Sequence, residues 1–191
     1  DTVNKQIEVC VLLVAPVLVV FVLFIPIAVP LLFSSAFSHA VGMSTCAVFY
    51  IFFKALTLPA GYLPLAAGHS KVYMSMEIVY DILLALSVPL SYHLGGLQGI
   101  GWGLSVMGLI DLFMVHIVYR IKYGYVFRST SPWVLFTQFV LLCTTVYAAL
   151  CLPLMHRCIV GAVTIPLSLF LSVRLFNRET QLWNKIKGFL N

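Results

Sequence analysis

Four ionisable residues lie where a membrane-spanning helix would bury them: Lys54, Glu77, Asp81 and Asp111. Lys54 sits in YIFFKALTLPAGYLPLA, among aromatic and aliphatic neighbours. At the centre of a span a lysine costs roughly 2.5–3.5 kcal/mol, so it must face a partner or water. Glu77 and Asp81 are four residues apart and share one helix face. Asp111 precedes Arg120 by nine residues, about 13 Å along a helix. Three arrangements accommodate these charges. Lys54 pairs with Asp81 or Asp111 and tethers two helices. Alternatively, Glu77, only six residues after Lys71, reaches the headgroup zone with Asp81 behind it. In the third, the charges line a wet cavity, where Lys54 holds an anionic group and a carboxylate (Asp81, Asp111 or Glu77) exchanges H+ or binds Na+. Burial disfavours the charged form of a carboxylate, which is what such an exchange needs.

The elements that must position these residues are apolar helices. The 191-residue chain is 62% hydrophobic and 9% charged, with a mean hydropathy of +1.06. Soluble domains carry about a quarter charged residues, and so few charges cannot cover a soluble fold of this length. The long continuous runs favour helices over the short alternating strands of a barrel. A hydrocarbon core needs about 20 apolar residues of helix. The expected fold is all-α, a polytopic bundle of six transmembrane helices over about 9–33, 44–67, 72–94, 99–120, 132–152 and 157–176. A tail over 177–191 follows. In it Trp183, Ile186 and Leu190 recur on one face, as an interfacial amphipathic helix would have them. The opening DTVNKQIEVC reads as a polar loop entering the first helix. It has no initiator Met and is neither a signal nor a transit peptide, so the chain is expected to be cut from a longer one.

Basic residues set the orientation. With a cytoplasmic start, one side receives Lys5, Lys71, Arg120, Lys122, Arg128, Arg174, Arg178, Lys185 and Lys187, and the other only Arg157. That bias places both ends of the segment in the cytoplasm. The net charge of +5 is thus a topology signal rather than a nucleic-acid footprint. Pro16, Pro26 and Pro30 interrupt the first helix, and Pro59, Gly61 and Pro64 mark a bend in the second. Gly99 and Gly103 form a GxxxG, which lets helix backbones approach closely.

Catalytic and metal chemistry find little footing. HExxH and GxSxG are absent, and His39, His69, His93, His116 and His156 are scattered. Cys10, Cys46, Cys143, Cys151 and Cys158 show no ligand spacing. The chain is therefore expected to be no enzyme, with no metal and no organic cofactor.

Three stretches in order resemble one family. LLVAPVLVVFVLFIPIAVPLLFSSAF is similar to a flippase helix that ends in a short outer loop. FFKALTLPAGYLPLAAGHSKVYMSMEIVYD resembles the lysine, Pro-Gly-Tyr, corner and acidic helix that follow. LGGLQGIGWGLSV resembles the glycine-rich start of the next span. The family is the polysaccharide transporter branch of the multidrug/oligosaccharidyl-lipid/polysaccharide exporter superfamily, which includes O-antigen and capsule repeat-unit flippases. The resemblance covers residues 4–175 and is strongest over 4–130. It implies a MATE-like second lobe plus the final two helices, spans nine to fourteen, with a missing N-terminal lobe as partner. It further implies a location in the bacterial inner membrane, among membrane lipids. The implied function is movement of an undecaprenyl-pyrophosphate-linked oligosaccharide to the outer leaflet by alternating access. Lys54 would hold the pyrophosphate, and Asp81 or Asp111 would couple H+ or Na+. The alternatives are a multidrug/cation antiporter of the same superfamily, for which the carboxylates should matter more than Lys54, and a membrane enzyme of polysaccharide assembly.

Overall fold

The computed structural model describes residues 2–127 and 132–180. Arg128, Lys185, Lys187 and the amphipathic pattern at Trp183, Ile186 and Leu190 lie outside these. Among these described residues six α-helices run in order: α1 (Thr2–Phe33), α2 (His39–Gly61), α3 (Leu63–Ala66), α4 (Ser70–Tyr123), α5 (Pro132–Cys151) and α6 (Leu154–Thr180). A short 3-10 turn, Ser35–Phe37, joins α1 to α2. Among the described residues there is no strand, and five helical stretches are long and apolar enough to cross a membrane. One of these takes in α2 and α3 together, His39–Ala66.

α2 starts at His39, five residues before the expected 44, and two further boundaries depart from the expected ones for physical reasons. Thr2 to Glu8, read as a loop, is the start of α1. Ile7 and Glu8 are buried there, so tertiary packing extends the helix through a polar sequence. The expected spans 72–94 and 99–120 form one 54-residue element, α4. Its backbone leaves helical geometry at Gly95 and Gly96, where Gly96 has φ 60° and ψ −147°. Side chains other than hydrogen are strained there. The break reverses the chain. A Cβ on Gly99 would run into the Ser91 carbonyl, and one on Gly103 into the Ser91 side chain. Along a continuous helix Gly103 and Ser91 would stand about 18 Å apart. The two arms of α4, 70–94 and 97–123, therefore lie against each other, with the GxxxG at their contact. Gly99→Ala is expected to lower stability by about 1–3 kcal/mol, since the obstacle is backbone. Gly61→Ala, which meets nothing within 4 Å, should change it by no more than about 1 kcal/mol. Thermal unfolding of both in detergent checks the contrast.

The proline cluster brackets a one-residue interruption of the helix at Tyr62, between α2 and α3. α2 runs through Pro59 and stops at Gly61, and Pro64 lies in the first turn of α3. Proline suits that position because the early N–H groups lack helical partners. Tyr119 donates its hydroxyl to the Gly61 carbonyl at 3.1 Å, which satisfies the backbone at the break.

The core joins α1, α2 and α5 through Val11, Ala15, Val19, Val22, Val48, Phe52, Leu142 and Val146. α5 and α6 are tied by a polar seam. Gln138, fully buried, donates to the Ser168 carbonyl at 3.0 Å and to Ser172 Oγ at 2.8 Å, while Ser168 Oγ donates to Gln138 Oε1 at 2.6 Å. Such bonds hold helices together where lipid supplies no hydrophobic drive between them. Ser168→Ala should cost about 0.5–2 kcal/mol, read as a fall in melting temperature.

One end of the bundle is basic. Asn4 of α1 reaches the chain after α4, accepting from the Tyr125 hydroxyl at 2.7 Å and donating to the Val126 carbonyl at 3.2 Å. The Tyr125 phenol is a donor at neutral pH even at its ordinary value, and burial raises it further. His69 meets the Tyr123 hydroxyl at 3.1 Å. These contacts gather the α1 start, the 62–70 corner and the α4 end, and with them Lys5, Lys71, Arg120 and Lys122. Arg157 lies at the start of α6 and donates to the Ala149 carbonyl late in α5.

Candidate functional site

Small residues on the second arm of α4 bring it against α2. A Cβ on Gly101 would strike the Met43 carbonyl, and one on Gly108 would lie 3.1 Å from the Tyr50 Cα. Ser105 donates to the Cys46 carbonyl at 2.7 Å. The residue pairs 43/101, 46/105, 50/108 and 61/119 rise together, so the two segments run parallel. This register carries Asp111, one turn beyond Gly108, to the level of Lys54 and Thr57.

There Lys54 Nζ stands 2.8 Å from Asp111 Oδ2, and Thr57 Oγ1 donates to the same oxygen at 3.0 Å. The first arm of α4 closes the third side. Lys54 Nζ lies 4.1 Å from the centre of the Tyr80 ring and 6.0 Å from that of Tyr50, so the ammonium also has aromatic faces to rest on. Tyr80 is buried, and its hydroxyl has no hydrogen-bond partner of good geometry among the described residues. Tyr50 is the polar group beside it. One lysine thus clasps α2 to both arms of α4.

The clasp borders a cavity of about 50 Å³. Its polar lining comprises Lys54, Thr57, Asp111, Glu77, Tyr62, Tyr73, Tyr80 and Tyr119. A water needs about 10–15 Å³ by this measure, so the hollow suits a few waters or an ion. Ligand pockets are commonly about 300–1,000 Å³, so a sugar does not fit in this conformation. Tyr62 and Tyr73 stack at 6.2 Å on its lining. The larger spaces are apolar. One of about 610 Å³ lies between α1 and α6, another of about 520 Å³ is bounded by α2, α4 and α5, and one of about 200 Å³ is lined by Leu56, Leu112, Phe113, His116 and Phe127.

The sequence candidates divide on this geometry. Lys54, Asp111 and Glu77 meet at one hollow. Lys54 pairs with Asp111 and not with Asp81, which is exposed on the first arm. Glu77 is exposed as well as lining the hollow. Pro59 lies within the last turn of α2, Gly61 lines the hollow and Pro64 is buried in α3. Gly99 and Gly103 serve the contact between the α4 arms, on a different face from Asp111. His39, His69, His93 and His156 are exposed, and half-buried His116 lines a separate cavity with Leu56 and Phe127.

Thr57, Tyr80 and the tyrosine lining were not found from sequence. Thr57 had a signal, three residues after Lys54 and so on its face. The seam had a clearer one: Thr164, Ser168 and Ser172 recur every fourth residue. Glu8 is 1% exposed in the stretch read as a loop. Among the described residues no group of three or more His, Cys, Asp or Glu could hold a metal ion. The chain matches no family model, no curated protein and no solved structure.

Proposed function

We propose that this chain is the C-terminal part of a membrane flippase that moves an undecaprenyl-pyrophosphate-linked oligosaccharide from the cytoplasmic to the outer leaflet. The observation that carries the reading is the Lys54–Asp111 pair beside a polar hollow at span depth. Its surroundings extend the argument. The first arm of α4 buries little beyond Tyr80 and leaves Glu77 and Asp81 exposed. Carboxylates so placed in a span call for water or protein, not acyl chains. A second lobe facing that arm would enlarge the hollow into a path of substrate size, in the bacterial inner membrane and with the basic end cytoplasmic.

In this reading α4 makes two crossings, so the chain crosses six times, like the second lobe and final helices of a MATE-like exporter. Fifty-four residues of straight helix would span about 81 Å, against a hydrocarbon core of about 30 Å. The reversal at Gly95–Gly96 supports the division. Lys54 binds the pyrophosphate and Asp111 couples H+ or Na+, with Glu77 and Asp81 lining the approach. The oligosaccharide crosses through the polar path while its lipid tail stays among membrane lipids.

A multidrug antiporter would use the same carboxylates and tyrosines for an organic cation. Lys54 already occupies the cation's place on Tyr80 and Asp111, which favours an anionic cargo. The test is complementation of cells lacking the full-length protein. Wild type should restore surface polysaccharide, and Lys54→Ala at equal abundance should not. Restored polysaccharide with Lys54→Ala overturns the reading.

A further inference from the structure

The ion pair is lopsided. Lys54 keeps 29% of its side chain exposed, while Asp111 keeps 9%. Both groups line the hollow, but an anion arriving there meets an ammonium more open than the carboxylate and of the opposite charge. Asp111 Oδ2 holds Lys54 and Thr57, and Thr57 is a neutral donor. Once the ammonium turns to an anion, Asp111 keeps only Thr57. The other groups facing it offer no relief. α2 brings Tyr50 beside Lys54, the corner after it brings Tyr62, the first arm of α4 brings Tyr73, Tyr80 and Glu77, and its own arm brings Tyr119. None of these is a cation, and Glu77 is a carboxylate that adds repulsion. A buried carboxylate without a cation beside it takes up a proton.

We propose that Lys54 and Asp111 form an exchange device: a phosphate-class anion that captures the Lys54 ammonium obliges Asp111 to bind one proton, so anion binding and proton uptake are linked in a single step. This rests on the reading that Lys54 receives the anionic group of the cargo. The only bond formed is an O–H bond on the Asp111 carboxyl, with its proton drawn from water. No electrons are exchanged. When the anion leaves, Lys54 returns to Asp111 and the proton is released. The cavity of about 50 Å³ has room for the water that carries it.

The sign of the linkage is fixed. Anion affinity falls as pH rises, by up to about tenfold per pH unit for one linked proton, within the window above the pH at which Asp111 protonates beside Lys54 and below the pH at which it protonates with the anion bound. The experiment uses the full-length protein in lipid nanodiscs, with inorganic pyrophosphate and farnesyl pyrophosphate as probes. Binding is followed by calorimetry across pH, and protonation by infrared difference spectroscopy of the carboxyl C=O stretch. Asp111→Asn, nearly isosteric, carries the probes' own titration and is the baseline; Thr57→Val is a second variant that keeps the ion pair.

The expected result is a protonated-carboxyl band on anion addition in wild type and Thr57→Val. That band is lost in Asp111→Asn, where the tenfold pH dependence also disappears. Tighter binding of farnesyl pyrophosphate identifies a lipid-borne headgroup, and equal binding a free anion; with the band, either supports the exchange. Anion binding without the band, or a band that persists in Asp111→Asn, overturns the exchange and leaves Lys54 as an anion site. Binding that is unchanged in Lys54→Gln, or absent in wild type, overturns both the exchange and the reading beneath it.

Discussion

Lys54→Ala is expected to cut transport by the full-length protein about 10- to 100-fold, the equivalent of losing a charge-assisted contact of about 1.5–3 kcal/mol to the cargo's anion. Stability should fall as well, because Asp111 is left buried without its cation. Removing one partner of a fully buried pair costs about 3–5 kcal/mol. Lys54 is partly exposed, so a smaller fall of about 1–3 kcal/mol is expected here. The double variant Lys54→Ala with Asp111→Asn separates the two effects. With no charge left to strand, its melting temperature should return most of the way to wild type. Transport should stay low, because the anion site is still missing. Recovery of both together would make the pair a structural tether alone. That was one of the arrangements compatible with the sequence.

Gly101→Leu is the second large effect. The side chain would enter the space held by the Met43 carbonyl and the Cys46 Cβ. Backbone cannot yield as a flexible side chain can, so α2 and the second arm of α4 must move apart. Overpacking of this kind costs about 1–3 kcal/mol or more. It should also lower transport, since the same close approach sets Lys54 at 2.8 Å from Asp111. A thermal melt in detergent, together with transport per folded molecule, checks both parts. A normal melt with normal transport would show that the parallel register does not depend on Gly101.

The apolar runs made the helices legible. Hydrophobic length marked the span-length segments, apart from the polar start of α1 and the start of α2, which lies at His39 and not at 44. Glycine content hinted at the close contacts, but not at their partners. The GxxxG of Gly99 and Gly103 read as a helix–helix contact; that its partner is Ser91, on the preceding arm, follows from the reversal at Gly95–Gly96. Position along a helix could not choose between Asp81 and Asp111 as the partner of Lys54. The choice depends on the rotation of each α4 arm about α2, which Gly101, Ser105 and Gly108 decide together. Glu8 was missed because a polar stretch reads as a loop until packing recruits it into a helix. The exposed face of the first arm had no signal at all, since apolar spans look alike whether they meet lipid or protein.

The proposed role of Lys54 is to hold the anionic group of a lipid-linked cargo as it crosses the bilayer. Its most direct test places the full-length protein in proteoliposomes with a fluorescent undecaprenyl-pyrophosphate-linked oligosaccharide and measures how fast the label becomes accessible in the opposite leaflet. Rapid exposure with wild type, lost in Lys54→Ala at equal incorporation, is the predicted result. Equal rates for the two proteins, or no movement above protein-free vesicles, would contradict it.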